Sequence, residues 1–447
     1  MTEPTAMRDR TFYRELNKEY PVVDRGEGIY LWDKAGRQYI DGAGGMYVVN
    51  IGHGVPEVIE AMAAQARRVC FAHVTQFTSE AQIELCNRLA ALAPPGFGRV
   101  WLVSGGSEAT ETALKLARQY HVERGNTGKH KIVSRWHSYH GNTIGALSMS
   151  GTPARRKLYS PYLLDFPHIA PCYCYRCPYN LTYPACGVRC AEELEHVITR
   201  EGADSIAGFI AEPIPAGPLG MAMPPAEYFR MVRDICNRHD ILMIDDEVIC
   251  GVGRTGRNFG IDHWGVVPDI IVTGKVVTGG YAPVGAVLAH EKVHTALARG
   301  SGTFVHGYTY SGNPLSSAIG VAVLDYIQRN DLIARAAETG AYLFEQADRL
   351  RKLPVVGDVR GKGLLMGIEL VADPVTARPP DRRLRLSERI VEAAFARGLI
   401  IVSGAGGING VAGDYVCLAP PYTITRTQVD DMLAILGACL EEVSAQA

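Results

Sequence analysis

The chain reads as an α/β protein, a large domain built on a mostly parallel sheet with a smaller α+β lobe beside it. Two observations predict that class. Apolar runs closing on charged residues recur, notably Ile241-Leu-Met-Ile-Asp-Asp-Glu-Val248 and Pro268-Asp-Ile-Ile-Val-Thr-Gly-Lys275. A strand buried on both faces has that composition, and it delivers its terminal charge to the sheet edge where open α/β folds bind ligands. Stretches of helical periodicity separate such runs, so strand and helix alternate. At 447 residues with 48 glycines, the chain exceeds one ordinary domain and has the turn content of an α/β enzyme.

Taken in order, residues 1–55 form a polar arm with strand signals at 29–33 and 38–41 around the turn Lys34-Ala-Gly36. From 56 to 330 the large domain follows, with helices near 56–69, 79–92 and from Ser107 onward. Its strands fall at 99–104, 131–136, 206–212, 241–247, 269–274 and 284–289, and a helical stretch at 314–328 closes it. Residues 331–447 read as the small lobe: helix 331–352, one strand 359–371, helix 383–397, strand 414–418 and a last helix from Thr425. The arm is expected to join this lobe. No internal repeat or low-complexity segment interrupts the series.

A formal net charge of -2 gives no basic surface for nucleic acid or an anionic membrane, so small-molecule chemistry is expected. The N-terminal segment lacks the apolar core of a signal peptide, and no apolar stretch approaches the ~20 residues of a membrane span. The expected location is cytoplasmic. Eleven cysteines in a chain this long do not make a disulfide scaffold.

The strand ends carry the chemistry. A lysine closing an apolar strand, as Lys275 does, loses its proton readily on desolvation and forms an imine with an aldehyde. A buried aspartate nearby, Asp246, holds a pyridinium nitrogen protonated, so the pair suits pyridoxal 5′-phosphate. Val103-Ser-Gly-Gly-Ser-Glu-Ala109 opens a helix after a strand, which points backbone N–H groups of Gly106 and Ser107 at a phosphate. Ser-x-x-Glu alone is an ordinary capping box, and its place upstream of the Asp/Lys pair decides for the phosphate. Tyr139, in Ser138-Tyr-His-Gly-Asn-Thr143, is placed to stack on a pyridine ring, with His140 beside it. Glu212 ends the run 206–211 and points to the same edge.

The string Asp246-Glu-Val-Ile-Cys-Gly-Val-Gly-Arg-Thr-Gly256, with Lys275, Thr278-Gly-Gly-Tyr-Ala-Pro-Val-Gly285 and His306-Gly-Tyr-Thr-Tyr310, resembles the class III pyridoxal-phosphate aminotransferases. The likeness runs from Asp41-Gly-Ala-Gly-Gly45 and Gly52-His-Gly54 to Leu418-Ala-Pro-Pro-Tyr422. It implies fold type I with a seven-stranded-type sheet, and a homodimer, or a dimer of dimers, with sites at the interface. By position it makes Lys275 the Schiff-base lysine and Asp246 the ring-nitrogen partner. Val248 and Tyr139 would face the two sides of the ring, and Gly106 and Ser107 would hold the phosphate. Thr309 would reach that phosphate from the neighbouring subunit, Glu212 would lie near substrate, and Tyr47 would be a pocket aromatic.

Three positions depart from the family pattern. Ile249 stands where many members have glutamine, and Asn142 where 2-oxoglutarate users often have arginine. The segment 403–414 contains no arginine, unlike many amine–pyruvate enzymes. A carboxylate acceptor needs a cation, and Arg155, Arg156 and Arg257 are the candidates. Cys172, Cys174, Cys177, Cys186 and Cys190 are dense enough for zinc but not spaced as two clean Cys-x-x-Cys knuckles, so structural thiols and no metal are expected. The resemblance implies a ping-pong transamination through pyridoxamine phosphate, from a primary amine or ω-amino acid to an oxo acid, pyruvate before 2-oxoglutarate. Decarboxylases, racemases and phospho-lyases on the same scaffold are the alternative.

Overall fold

The computed structural model describes residues 10–444. Residues 1–9, most of the segment read above for an export signal, and 445–447 lie outside the described residues. Among the described residues the strands form three sheets. The largest has seven strands, in the order Phe97–Val103, Gly285–His290, Ile270–Thr273, Leu242–Asp246, Ile206–Ala211, Lys131–Arg135, His168–Ile169. Gly285–His290 runs antiparallel to both its neighbours, and the other pairs are parallel. The architecture is the mostly parallel α/β fold that the sequence predicts.

Period-two alternation explains why both faces of this sheet are covered. Leu242, Ile244, Ile270 and Val272 pack into one apolar layer with Ala109, Ala113 and Ala117 of helix Gly106–Glu123. Met243 and Ile271 point the other way, into the layer that holds Val232 and Ile235 of helix Tyr228–Arg238. The same alternation divides the acidic end of Leu242–Asp246. Asp246 follows Leu242 and Ile244, whereas Asp245 and Glu247 share the opposite face.

The arm folds as the antiparallel strands Val23–Glu27, Tyr30–Asp33 and Gln38–Asp41, joined by Leu399–Ile400 parallel to the last. The Asp33 carboxylate accepts from the N–H groups of Ala35 (3.0 Å) and Arg37 (2.9 Å), which sets the turn predicted at Lys34-Ala-Gly36. The third sheet orders Val356–Lys362, Leu365–Leu370, Asp414–Leu418 and Val402–Gly404, all antiparallel. One expectation fails here. The single strand 359–371 is a hairpin, Val356–Lys362 and Leu365–Leu370, because Gly363 adopts φ +59 and reverses the chain. No helix among the described residues is long and apolar enough to cross a membrane.

Candidate active site

The parallel strands end around one cleft of about 140 Å³. Leu242–Asp246 ends on Asp246, Ile206–Ala211 is followed by Glu212, and Lys131–Arg135 leads into Tyr139 and His140. Lys275 follows Ile270–Thr273 by two residues. All five side chains line the cleft, as do Gly106, Ser107 and Val248.

The acidic groups arrive with partners. His140 Nδ1 donates to Asp246 Oδ2 at 2.7 Å, and the Val248 N–H donates to Oδ1 at 3.1 Å. This network fixes the orientation of the carboxylate where it lines the cleft. His140 is itself held by its backbone N–H on Ser150 Oγ (2.8 Å), while its Nε2 has no hydrogen-bond partner among the described residues. Glu212 accepts from the Tyr139 N–H at 2.8 Å and from Arg135 Nη2 at 3.2 Å. Arg135 is fully buried, so this ion pair is both costly to form and costly to break.

Lys275 begins a short 3-10 turn with φ +28, an unfavourable backbone for a residue with a side chain. Burial pushes its ammonium down to about 8, against the opposing pull of Asp246. A substantial uncharged fraction near neutral pH is what a nucleophilic amine needs. Its Nζ stands 5.9 Å from the centre of the Tyr47 ring, which is buried.

The other end of the cleft suits a phosphate. Helix Gly106–Glu123 begins without a side-chain cap on Gly105, so its first N–H groups stay available at the positive end of the helix. Gly141 closes over this end, and a Cβ there would stand 2.6 Å from Ser107 Oγ. The cleft offers Tyr139 and Val248 to a flat ring, Asp246 to a cationic ring nitrogen, Lys275 to a carbonyl and the helix start at Gly106–Ser107 to an anion, which is the outline of pyridoxal phosphate.

Thr309 is not brought to this cleft; it is exposed in a turn. Sequence reasoning missed Arg135, an arginine inside a buried strand. It also missed Arg254, fully buried within the glycine-rich motif, whose Nη1 donates to the carbonyls of Ala419 (3.2 Å) and Pro420 (2.6 Å) and whose Nη2 donates to that of Val49 (3.0 Å). Behind Asp246, burial raises the carboxyls of Asp245 and Glu247, the latter to about 7. Cys174, Cys177, Cys186 and Cys190 line one small cavity, and the Cys172 thiol contacts those of Cys174 and Cys190. No group of three His, Cys, Asp or Glu side chains among the described residues is arranged to hold a metal ion.

The family model for class-III aminotransferases matches residues 13–440. The uncharacterized aminotransferase YodT of Bacillus subtilis is 40% identical over 433 residues, 96% of this chain and 97% of that protein. The diaminobutyrate–2-oxoglutarate transaminase of Halomonas elongata is 38% identical, covering 95% of this chain and 90% of its own. The putrescine–pyruvate aminotransferase of Pseudomonas aeruginosa is 34% identical, covering 97% and 94%. Among solved structures, an amine transaminase from an uncultivated Pseudomonas species, in its PLP-bound form, superposes with TM-score 0.89 at 35% identity over 100% of this chain and 99% of that one.

Proposed function

The chain belongs to the class III aminotransferases, and from that premise we propose that it moves the amino group of a primary amine or ω-amino acid to pyruvate in preference to 2-oxoglutarate. It does so as a cytoplasmic homodimer. The enzyme is a pyridoxal-phosphate-dependent transaminase with the fold type I architecture. When bound, the cofactor supplies a carbonyl for the amine and a ring that takes up an electron pair.

The rest is the work of this chain's residues. Asp246, oriented by His140, keeps a proton on the ring nitrogen. Tyr139 and Val248 hold the ring between them, and the helix start at Gly106 and Ser107 binds the phosphate, with Thr309 of a second copy completing that cradle. Lys275 would hold the cofactor and, as an uncharged amine, would take the proton from the donor's α-carbon and return it in the second half of the transfer. Glu212, tied to Arg135 and the Tyr139 backbone, fixes the aromatic wall, and Tyr47 lies beside the lysine as a pocket wall. The cofactor lobe is assigned to residues 56–330, between an arm at 1–55 and a small lobe at 331–447.

The single observation carrying the chemistry is Lys275 lowered to about 8 across one cleft from the His140-bound Asp246. The acceptor reading rests on Asn142, exposed and uncharged, and on the arginine-free segment 403–414. The relatives divide on this point, one named for pyruvate and one for 2-oxoglutarate. A panel of amines against pyruvate, glyoxylate and 2-oxoglutarate tests it: pyruvate or glyoxylate should give the higher kcat/KM. A clear preference for 2-oxoglutarate overturns the acceptor assignment.

A further inference from the structure

Among the described residues lining the cleft, Lys275 is given to the cofactor and none is an arginine, so the acceptor's carboxylate needs a cation from beyond it, for which three arginines are candidates. Their positions separate them. Arg156 is committed: its Nη1 donates to the carbonyls of Leu147 (3.0 Å), Ser148 (2.8 Å) and Ser150 (2.7 Å). Arg257 is exposed in the glycine-rich motif and is not among the residues lining the cleft. Arg155, in the short helix Pro153–Arg156, does not line the cleft itself either, but its guanidinium carbon lies 4.8 Å from the centre of the Tyr139 ring, and Tyr139 is a wall of the cleft.

We propose that Arg155 is the specificity-determining residue that binds the carboxylate of the oxo-acid acceptor. The inference rests on the transaminase reading above and names the group that reading leaves open. Arg155 is exposed and makes no ion pair among the described residues, so its charge is not already spent on a protein carboxylate. The acidic groups of the cleft are themselves engaged, Glu212 with Arg135 and Asp246 with His140, so none competes for it. The flat face of Tyr139 supports the planar guanidinium and leaves its N–H fork free for two parallel hydrogen bonds to a carboxylate.

The neighbouring wall has no substitute. The segment 405–413, which joins Val402–Gly404 to Asp414–Leu418, carries no charged residue. It packs against the start of the Arg155 helix: a Cβ on Gly410 would stand 2.9 Å from Pro153 Cβ. This uncharged loop therefore sets a cation-free boundary two residues from Arg155. One guanidinium serves one carboxylate, which fits a 2-oxo monocarboxylate. The second carboxylate of 2-oxoglutarate finds no charge at Asn142.

The test uses the cofactor-loaded enzyme with one fixed amine donor and two acceptors, pyruvate and butanal, an aldehyde of similar size without a carboxylate. The readout is the ratio of their kcat/KM values, which general loss of folded protein does not move. In Arg155→Gln the pyruvate-to-butanal ratio should fall about tenfold or more, mainly through KM for pyruvate, as expected for loss of a charge-assisted pair. Arg155→Lys should recover part of it, and Arg257→Gln should keep the wild-type ratio. A wild-type ratio in Arg155→Gln overturns the proposal. If the wild-type enzyme prefers 2-oxoglutarate, the pyruvate reading falls by itself. The 2-oxoglutarate-to-butanal ratio then decides on Arg155, supporting it by a tenfold drop and rejecting it by no change.

Discussion

Replacing Asp246 with asparagine removes a charge from the base of the cleft while keeping its shape. The carboxylate accepts from His140 Nδ1 at 2.7 Å and from the Val248 N–H at 3.1 Å. An amide oxygen can keep the His140 bond, so the ring wall and the strand end should survive. What is lost is the negative charge that holds a proton on the cofactor nitrogen. Loss of a charge-assisted hydrogen bond to a buried cation costs on the order of 1.5–3 kcal/mol. Felt mainly in the transition state, that is about ten- to 150-fold in rate. Rapid mixing of the cofactor-loaded variant with amine donor, followed by the cofactor's absorbance, measures the step directly, and a donor deuterated at the α-carbon should show a full isotope effect. An Asp246→Asn variant reacting as fast as wild type would refute the role assigned to the carboxylate.

Lys275→Ala should abolish turnover yet retain cofactor through the phosphate and ring contacts, and a variant that still turns over at the wild-type rate would remove Lys275 from the mechanism. The same lysine predicts a pH effect on the cofactor-free protein. Its pKa is about 8 in the fold against an ordinary 10.5, so between those values the unfolded chain holds a proton the folded one has shed, and stability should rise with pH. Denaturant unfolding at pH 8 and pH 10 should show this rise in wild type relative to Lys275→Met, and equal slopes would refute it. Glu212→Ala leaves Arg135 as an unpaired buried charge and should cost about 3–5 kcal/mol of stability by the same measurement; a loss below 1 kcal/mol would mean that the Glu212 backbone carbonyl alone satisfies the arginine. Thr309→Ala should weaken cofactor binding severalfold, in proportion to the fraction of dimer in a dilution series, and unchanged affinity would place the threonine outside the site.

The large sheet was legible because its central strands are apolar and stop on charge: the runs ending at Asp246 and Lys275 have the composition of strands buried on both faces. The hairpin at Gly363 was not, because the run 359–371 holds three glycines, Gly361, Gly363 and Gly367, and the letters do not reveal which of them turns the chain. Arg135 escaped because a charge at the end of a buried strand reads as the strand's exit to solvent, whereas its guanidinium turns inward to Glu212. Arg155, Arg156 and Arg257 were equivalent as letters. Only the fold distinguishes a guanidinium bound by the carbonyls at the end of the preceding helix Ile144–Met149 from one lying on an aromatic ring. Thr309 is exposed in a turn away from the cleft, so its place in a cofactor site rests on the proposed second copy.

The buried Arg254 has a consequence for how the protein is made. Its guanidinium needs the carbonyls of Ala419 and Pro420, the latter 166 residues further along the chain. At ribosomal speeds of roughly 5–20 residues per second, about 8 to 33 s pass between synthesis of the arginine and of its last acceptor. During that interval the glycine-rich motif following Asp246 must remain open or solvated, since an arginine sealed inside without partners is strongly disfavoured. Final closure of the catalytic half is therefore timed by the last stretch of translation. Chains cut short before residue 419 should be read by the cell as unfinished, exposing a cationic, glycine-rich segment to chaperones and proteases.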